Sequence, residues 1–245
     1  MSANNQQLTI CFVAGKSGGH LIPCLTLAQI WQQQHSDGHV LFLSTNTPLD
    51  QKLTTHSIIT QRYLFTLDNV PGRHITKYPR FIWQLLSCWV RSYKILKKER
   101  PERVISTGGY IAIPVVCAAC LLRIPVELWE LNAEPGRTIL FLAPLAKRIN
   151  ICFPEAQTKL PAKKCKLIDY PIRYTSSEKI TQADAQKLLG FDQKRATVFI
   201  LGGSQGSAEL SATIAALICQ YPELADKIQC VHQTGDRDKT DWKNW

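Results

Sequence analysis

The sequence predicts an α/β protein of the doubly wound class, its parallel strands joined by helical crossovers. Two observations carry that prediction. Short apolar runs rich in β-branched residues alternate with helical patterns along all 245 residues, which is how β-α-β units read in sequence. Three of the strand-like runs end in glycine turns that lead directly into helices, at the sheet edge where such folds bind ligands.

The first strand is Leu8–Val13, which breaks at Gly15 and passes through Ser17, Gly18, Gly19 and His20. A helix follows near 21–34, with Pro23 in its first turn. Further strands are expected at Val40–Ser44, Tyr63–Leu67, Arg103–Ser106, Val126–Trp129, Asn150–Phe153, Lys166–Ile168, Thr197–Leu201 and Lys227–Val231. Helical patterns fall near 75–99, 111–122, 135–147, 182–189 and 207–220. A boundary is expected near 172–195, where Pro171, a polar TSSEK stretch and a short helical segment precede Gly190. That divides the chain into domains 1–172 and 173–245. The second holds two strands and about one helix, too little to bury a stable core alone. Either it leans on the first domain or the chain is a fragment, and the fragment is the expectation.

Composition narrows the class. An apolar content of 45% with 20% charged residues belongs to a folded globular chain. The longest apolar candidate for a membrane span, Tyr110–Leu122, holds Pro114 and stops at Arg123, short of the ~18 residues a spanning helix needs. The amino terminus lacks the basic region of a signal peptide. Nine cysteines, including Cys11, Cys24, Cys88 and Cys219, lie mostly in apolar segments, which reads as buried thiols in a reducing, cytosolic compartment. The single C-x-x-C, Cys117–Cys120, has no second pair or histidine nearby and reads as core packing, so no metal site is expected. A net charge of +10 implies acidic company: nucleic acid, anionic lipid or a phosphorylated substrate.

The first turn, with Gly15-Lys16-Ser17, is not a P-loop, because the glycine required five residues earlier is Ile10. Glycines at 15, 18 and 19 do not fit the dinucleotide fingerprint either. What remains is a backbone that can approach a ligand closely. His20 there is either a turn residue or a general base, histidine having an unperturbed pKa near neutrality. The second turn is Thr107-Gly108-Gly109-Tyr110. The third, Gly202-Gly203-Ser204-Gln205-Gly206, adds a hydroxyl to a helix amino end suited to a diphosphate. Trp129-Glu130-Leu131-Asn132 closes a buried strand, its polar groups facing a ligand or capping the next helix. Residues 73–98 place Ile82, Leu85, Leu86, Trp89 and Val90 at helical spacing among Arg73, Lys77, Arg80, Arg91, Lys94, Lys97 and Lys98. With Tyr78, Phe81 and Trp83 added, the stretch reads as a surface helix with one buried face or as a patch for anionic membrane. No nucleic-acid motif accompanies the charge.

From about Leu8 to about Gly235 the chain resembles the MurG family, the lipid I N-acetylglucosaminyltransferases with the two-domain GT-B fold. The residues that carry the resemblance are Ser17-Gly18-Gly19-His20 with Pro23, Thr107-Gly108-Gly109-Tyr110, Asn132, Pro171-Ile172-Arg173, Gly202–Gly206 and His232-Gln233-Thr234-Gly235. The resemblance implies inverting transfer of N-acetylglucosamine from UDP-N-acetylglucosamine to the muramyl sugar of undecaprenyl-diphosphate-linked lipid I, with no metal or other cofactor. It implies donor contacts at Ser17, Gly18, Gly19, Asn132, Arg173 and Ser204, a base at His20, and an acceptor-diphosphate site at Gly108, Gly109 and Tyr110. It also implies membrane contact through Phe81, Trp83 and Trp89, on the cytoplasmic face of the bacterial inner membrane. The first domain would take the acceptor and the second the nucleotide sugar, with the base in the cleft between them. Departures from the family pattern are Lys16 in the first turn, Trp129 and Leu131 beside Glu130, and Tyr170 before Pro171. The uridine-binding remainder of the second domain lies outside the sequence. The expectation is therefore a truncated chain of little activity by itself. The alternative is a non-catalytic acceptor-binding subunit that needs a separate C-terminal half.

Overall fold

In the computed structural model, described for residues 8–55, 58–172, 179–203, 206–235, 238, 240 and 242, the chain forms two units, Met1–Arg173 and Tyr174–Trp245. The first unit begins with β1 (Thr9–Val13), α1 (Gly18–Gln34), β2 (His39–Thr45), α2 (Pro48–Leu53), β3 (Gln61–Phe65) and α3 (Tyr78–Glu99). It continues through β4 (Val104–Ser106), α4 (Ala112–Leu121), β5 (Val126–Glu130), α5 (Arg137–Leu142), β6 (Arg148–Ile151) and β7 (Cys165–Leu167). The seven strands pair in parallel in the order β3-β2-β1-β4-β5-β6-β7. Strand order runs one way from β1 to β3 and the other way from β4 to β7. The reversal between β1 and β4 is the topological switch point where open α/β sheets receive ligands.

Why β1 is apolar from Ile10 to Val13 follows from its place. Ile10 and Phe12 face one layer with Leu21, Leu25, Ala28, Val40 and Phe42. Cys11 and Val13 face the other with Leu41, Leu43, Ile95, Leu96, Val115 and Val116. A strand covered on both faces has no solvent side to alternate with. Burial of that kind, worth about 1.5–3 kcal/mol for each large apolar side chain, fixes the frame on which the turns stand. It also pushes the Cys24 thiol up to about 12 and the Cys11 thiol higher still. Burial raises Cys117 and Cys120 as well.

Several element ends differ from the sequence reading. α1 begins three residues earlier, at Gly18, which places Pro23 in its second turn; two glycines and a proline disguised the start. β3 and β6 each begin two residues earlier, because Gln61 and Arg62 pair with β2 and Arg148 pairs with β5 despite their polarity. The pattern expected over 135–147 is shorter: α5 starts after Pro135 and Gly136, and Pro144 turns its end into a 3-10 segment. α2 has no counterpart in the sequence reading.

The helix α3 requires a correction. Phe81, expected on a membrane-facing surface, is 8% exposed and belongs to the core, and Trp89 packs against that core. Phe81, Cys88, Ser92, Ile95 and Leu96 form the buried stripe. Ile82, Trp83 (72% exposed), Leu86 and Val90 are exposed instead.

The second unit contains α6 (Gln182–Leu188), β8 (Ala196–Leu201), α7 (Ala208–Gln220), α8 (Leu224–Lys227) and β9 (Ile228–Gln233). β8 and β9 pair in parallel. Ser207 stands outside α7 as its N-cap, its hydroxyl accepting from the Leu210 N–H at 3.2 Å.

Candidate functional site

Three neighbouring strands of the first unit, β1, β4 and β5, end at the same edge of the sheet, and each end is built for close approach. After β1, Gly15 sits where a Cβ would lie 3.0 Å from Asp50 Oδ2 and 3.2 Å from the Thr45 backbone. Lys16 then takes a left-handed φ of 69°, and Ser17 caps α1 with its carbonyl, which accepts from His20 N–H at 3.2 Å and Leu21 N–H at 3.0 Å. The Ser17 side chain makes no cap bond. Gly18 is buried, Gly19 exposed and His20 half-buried.

The turn after β4 is locked onto the first. Ser106 Oγ donates to the Val13 carbonyl at 3.0 Å, and Thr107 Oγ1 donates to the His20 carbonyl at 2.8 Å. Gly108 and Gly109 take φ values of 108° and 86°, which β-carbon sterics reserve for glycine. Each also lacks room: a Cβ on Gly108 would lie 3.2 Å from His20 Cε1, and one on Gly109 would lie 3.0 Å from the Gly15 carbonyl. The imidazole of His20 thus rests on the bare backbone of the second turn.

At the end of β5, Glu130 is buried. Its Oε1 accepts from the backbone and side-chain amides of Asn132, both at 2.9 Å, and its Oε2 accepts from Gly136 N–H at 2.8 Å. Glu130 therefore shapes the loop that leads to α5. His20, Gly108, Gly109, Tyr110, Glu130 and Arg137 line one pocket of about 230 Å³ in the first unit. Arg137 is the cation among its lining residues, and its place there was not foreseen.

The pocket unites the candidate base with all three residues assigned to an acceptor diphosphate. Asn132 is exposed beside it, its amide engaged by Glu130. Arg173 and Ser204 lie outside the described residues. In the second unit, Gly202 is hemmed in by Ser207 N, 2.5 Å from a Cβ there, while Gly203 and Gly206 take φ values of 79° and 72°. Among the described residues no group of three or more His, Cys, Asp or Glu is placed to hold a metal ion.

Sequence reasoning missed Asp50. Its signal is Thr47-Pro48-Leu49-Asp50: a cap hydroxyl, a proline at the first helical position and an acid in the first turn. It was masked by the brevity of α2.

Comparison with known proteins agrees with this architecture. Residues 10–151 match the glycosyltransferase family 28 N-terminal domain. The chain is 34% identical over 231 residues to the UDP-N-acetylglucosamine–N-acetylmuramyl-(pentapeptide) pyrophosphoryl-undecaprenol N-acetylglucosamine transferase of Thermus thermophilus, covering 93% of this chain and 63% of that protein. It is 30% identical over 237 residues to the protein of the same name from Bacillus pumilus, covering 94% and 62%. The chain thus spans less than two thirds of these relatives. Among solved structures it is similar to MurG of Acinetobacter baumannii, with a TM-score of 0.68 at 23% identity, covering 94% of this chain and 69% of that one. A glycosyltransferase of kitacinnamycin shares the fold with a TM-score of 0.64 at 13% identity, covering 96% and 68%.

Proposed function

We propose a function from one premise: the chain belongs to glycosyltransferase family 28. The reaction is transfer of N-acetylglucosamine from UDP-N-acetylglucosamine to undecaprenyl-diphosphate-linked N-acetylmuramoyl-pentapeptide, as in peptidoglycan synthesis. The observation that carries this reading is the pocket in which His20 meets Gly108, Gly109 and Tyr110. His20 takes the proton of the acceptor sugar hydroxyl as its oxygen attacks the anomeric carbon. The bond from that carbon to UDP breaks on the opposite side, so configuration inverts and UDP departs with the electron pair. The Gly108–Tyr110 turn holds the acceptor diphosphate with the backbone N–H groups of Gly109 and Tyr110, the Gly108 N–H donating to Ser106 Oγ at 3.2 Å, and Arg137 supplies positive charge beside it.

Donor contacts are assigned to Ser17, Gly18, Gly19 and Asn132 in the first unit, with Arg173 and Ser204 completing the set. The domain expected over residues 1–172 takes the acceptor and the membrane; the one expected over 173–245 takes the nucleotide sugar. No metal or cofactor enters the scheme. Membrane attachment is peripheral, on the cytoplasmic face, through the exposed face of α3. Among the described residues no helix is long and apolar enough to cross a membrane.

A second reading has its own support. Phe199 and Leu201 on β8 are 64% and 57% exposed, although parallel strands are ordinarily covered on both faces. Such a surface is what further C-terminal sequence would cover, and an acceptor-binding subunit would take that cover from a separately supplied C-terminal half.

One assay separates the readings. Radiolabelled UDP-N-acetylglucosamine and lipid I are incubated with the chain, alone and with the C-terminal portion of the Bacillus pumilus relative added in trans. Label is expected in the lipid only with the added portion, and His20→Ala should abolish it. No transfer in either arm would overturn the transferase reading. Ordinary turnover by the chain alone would overturn the need for a partner.

A further inference from the structure

The buried carboxylate of Asp50 contributes no lining to the pocket, yet five donors converge on it. Its Oδ1 accepts from Lys16 N–H at 2.9 Å and from Thr47 Oγ1 at 2.7 Å. Its Oδ2 accepts from Ser44 Oγ and Thr45 N–H, each at 3.0 Å, and from Thr45 Oγ1. Four of these donors belong to the end of β2 and the cap of α2. The Lys16 amide comes from 34 residues earlier in the chain. It is also the amide of the residue with the left-handed φ of 69°, a conformation a lysine adopts only against its own Cβ. Beyond the backbone, Lys16 Nζ donates to Asn69 Oδ1 at 2.9 Å. Burial lowers the lysine's pKa, while Asp68 and Asp50 act to raise it.

We propose that Asp50 is a positioning residue: through the Lys16 amide it holds the Gly15–Ser17 turn in the shape that aims Ser17–His20 at the ligand. The inference deepens the transferase reading and rests on it for the identity of that ligand. The chemistry explains why an acid is used. A carboxylate accepts on both oxygens, whereas an asparagine in its place has one oxygen and presents N–H groups to the donors around the other. A glycine at 16 removes the other half of the problem, since it takes a positive φ without assistance.

The test follows from that relation. Hydrogen exchange is measured on the full chain at the His20 and Leu21 amides, whose bonds to the Ser17 carbonyl report the turn, and at the β1 and β2 amides. UDP-N-acetylglucosamine binding is titrated on the same samples. Asp50→Asn is expected to speed exchange at 20 and 21 about tenfold and to weaken binding by a similar factor, with the amides of β1 and of β2 from Val40 to Leu43 unchanged. The double variant Asp50→Asn with Lys16→Gly should recover both readouts to within about threefold. A carboxylate that merely stabilised the core would loosen β1 and β2 together with the turn and would not be rescued at position 16. Either result overturns the proposal, as does binding unaffected by Asp50→Asn. If the unaltered chain binds no UDP-N-acetylglucosamine without an added C-terminal portion, the exchange result alone decides whether Asp50 holds the turn.

Discussion

The contact between Gly108 and His20 makes a backbone atom the support of a side chain. A Cβ at 108 would meet the imidazole at 3.2 Å and would also require a φ of 108° from an L-residue. Gly108→Ala therefore combines strain with displacement of the ring. The strain should destabilise the first unit by about 1–3 kcal/mol in urea unfolding. In a His20→Ala background the ring is gone, and the same substitution should cost less by at least about 0.5 kcal/mol. Equal costs in the two backgrounds would show that ring and glycine do not press on one another. In the transferase assay, displacement of the base should lower turnover by roughly a hundredfold, the scale of a 1 Å misplacement. Glu130 differs in kind: its oxygens are committed to the Asn132 and Gly136 amides, so its removal would disorder a loop before it touched any chemistry.

At the scale of elements, α3 separates two explanations for a hydrophobic helix. Phe81 serves the core, while Ile82, Trp83, Leu86 and Val90 are exposed on the same helix. Its cations are not all alike. Arg91 donates to the Leu64 carbonyl at 2.8 Å and lies 4.8 Å over the Phe65 ring, and Arg80 pairs with Asp68 at 3.3 Å. Replacing Trp83 and Leu86 with serine should weaken co-sedimentation with anionic vesicles about tenfold or more, because both side chains would leave the interface, and should leave the melting temperature nearly unchanged. Phe81→Ser should do the reverse, costing about 3–5 kcal/mol of stability. Unchanged sedimentation of the Trp83 and Leu86 variant would return α3 to the role of an ordinary surface helix.

The same helix marks the limit of what the sequence could disclose. Its existence follows from periodicity, but Phe81, Ile82 and Trp83 are consecutive apolar residues, and only the neighbouring elements decide which of them turns inward. The turns were legible because glycine and proline punctuate strands and helices locally. Asp50 was not, since what makes it consequential is an amide 34 positions away. Arg137 was hidden for a related reason: the Glu130 loop brings it to the pocket, and no local spacing encodes that.

On the scale of the whole molecule, the two units are unequal in what they bury. Among the described residues, the buried apolar side chains fall in the first unit, with Ile200 at 9% exposure in the second. Phe199 and Leu201 flank it on a strand whose apolar residues are largely in solvent. Hydrophobic stabilisation scales with the area removed from water, so the first unit should carry nearly all the cooperative folding energy. A polypeptide ending at Arg173 is expected to unfold in one transition, its midpoint within a few degrees of that of the full chain. Residues 174–245 alone should show no cooperative transition and should bind a hydrophobic dye strongly. Adding the C-terminal portion of a longer relative should suppress that dye binding if covering the two-stranded sheet is what the second unit needs. A sharp, dye-free transition from residues 174–245 by themselves would mean that so small a core suffices, and would remove the physical support for the two-part reading.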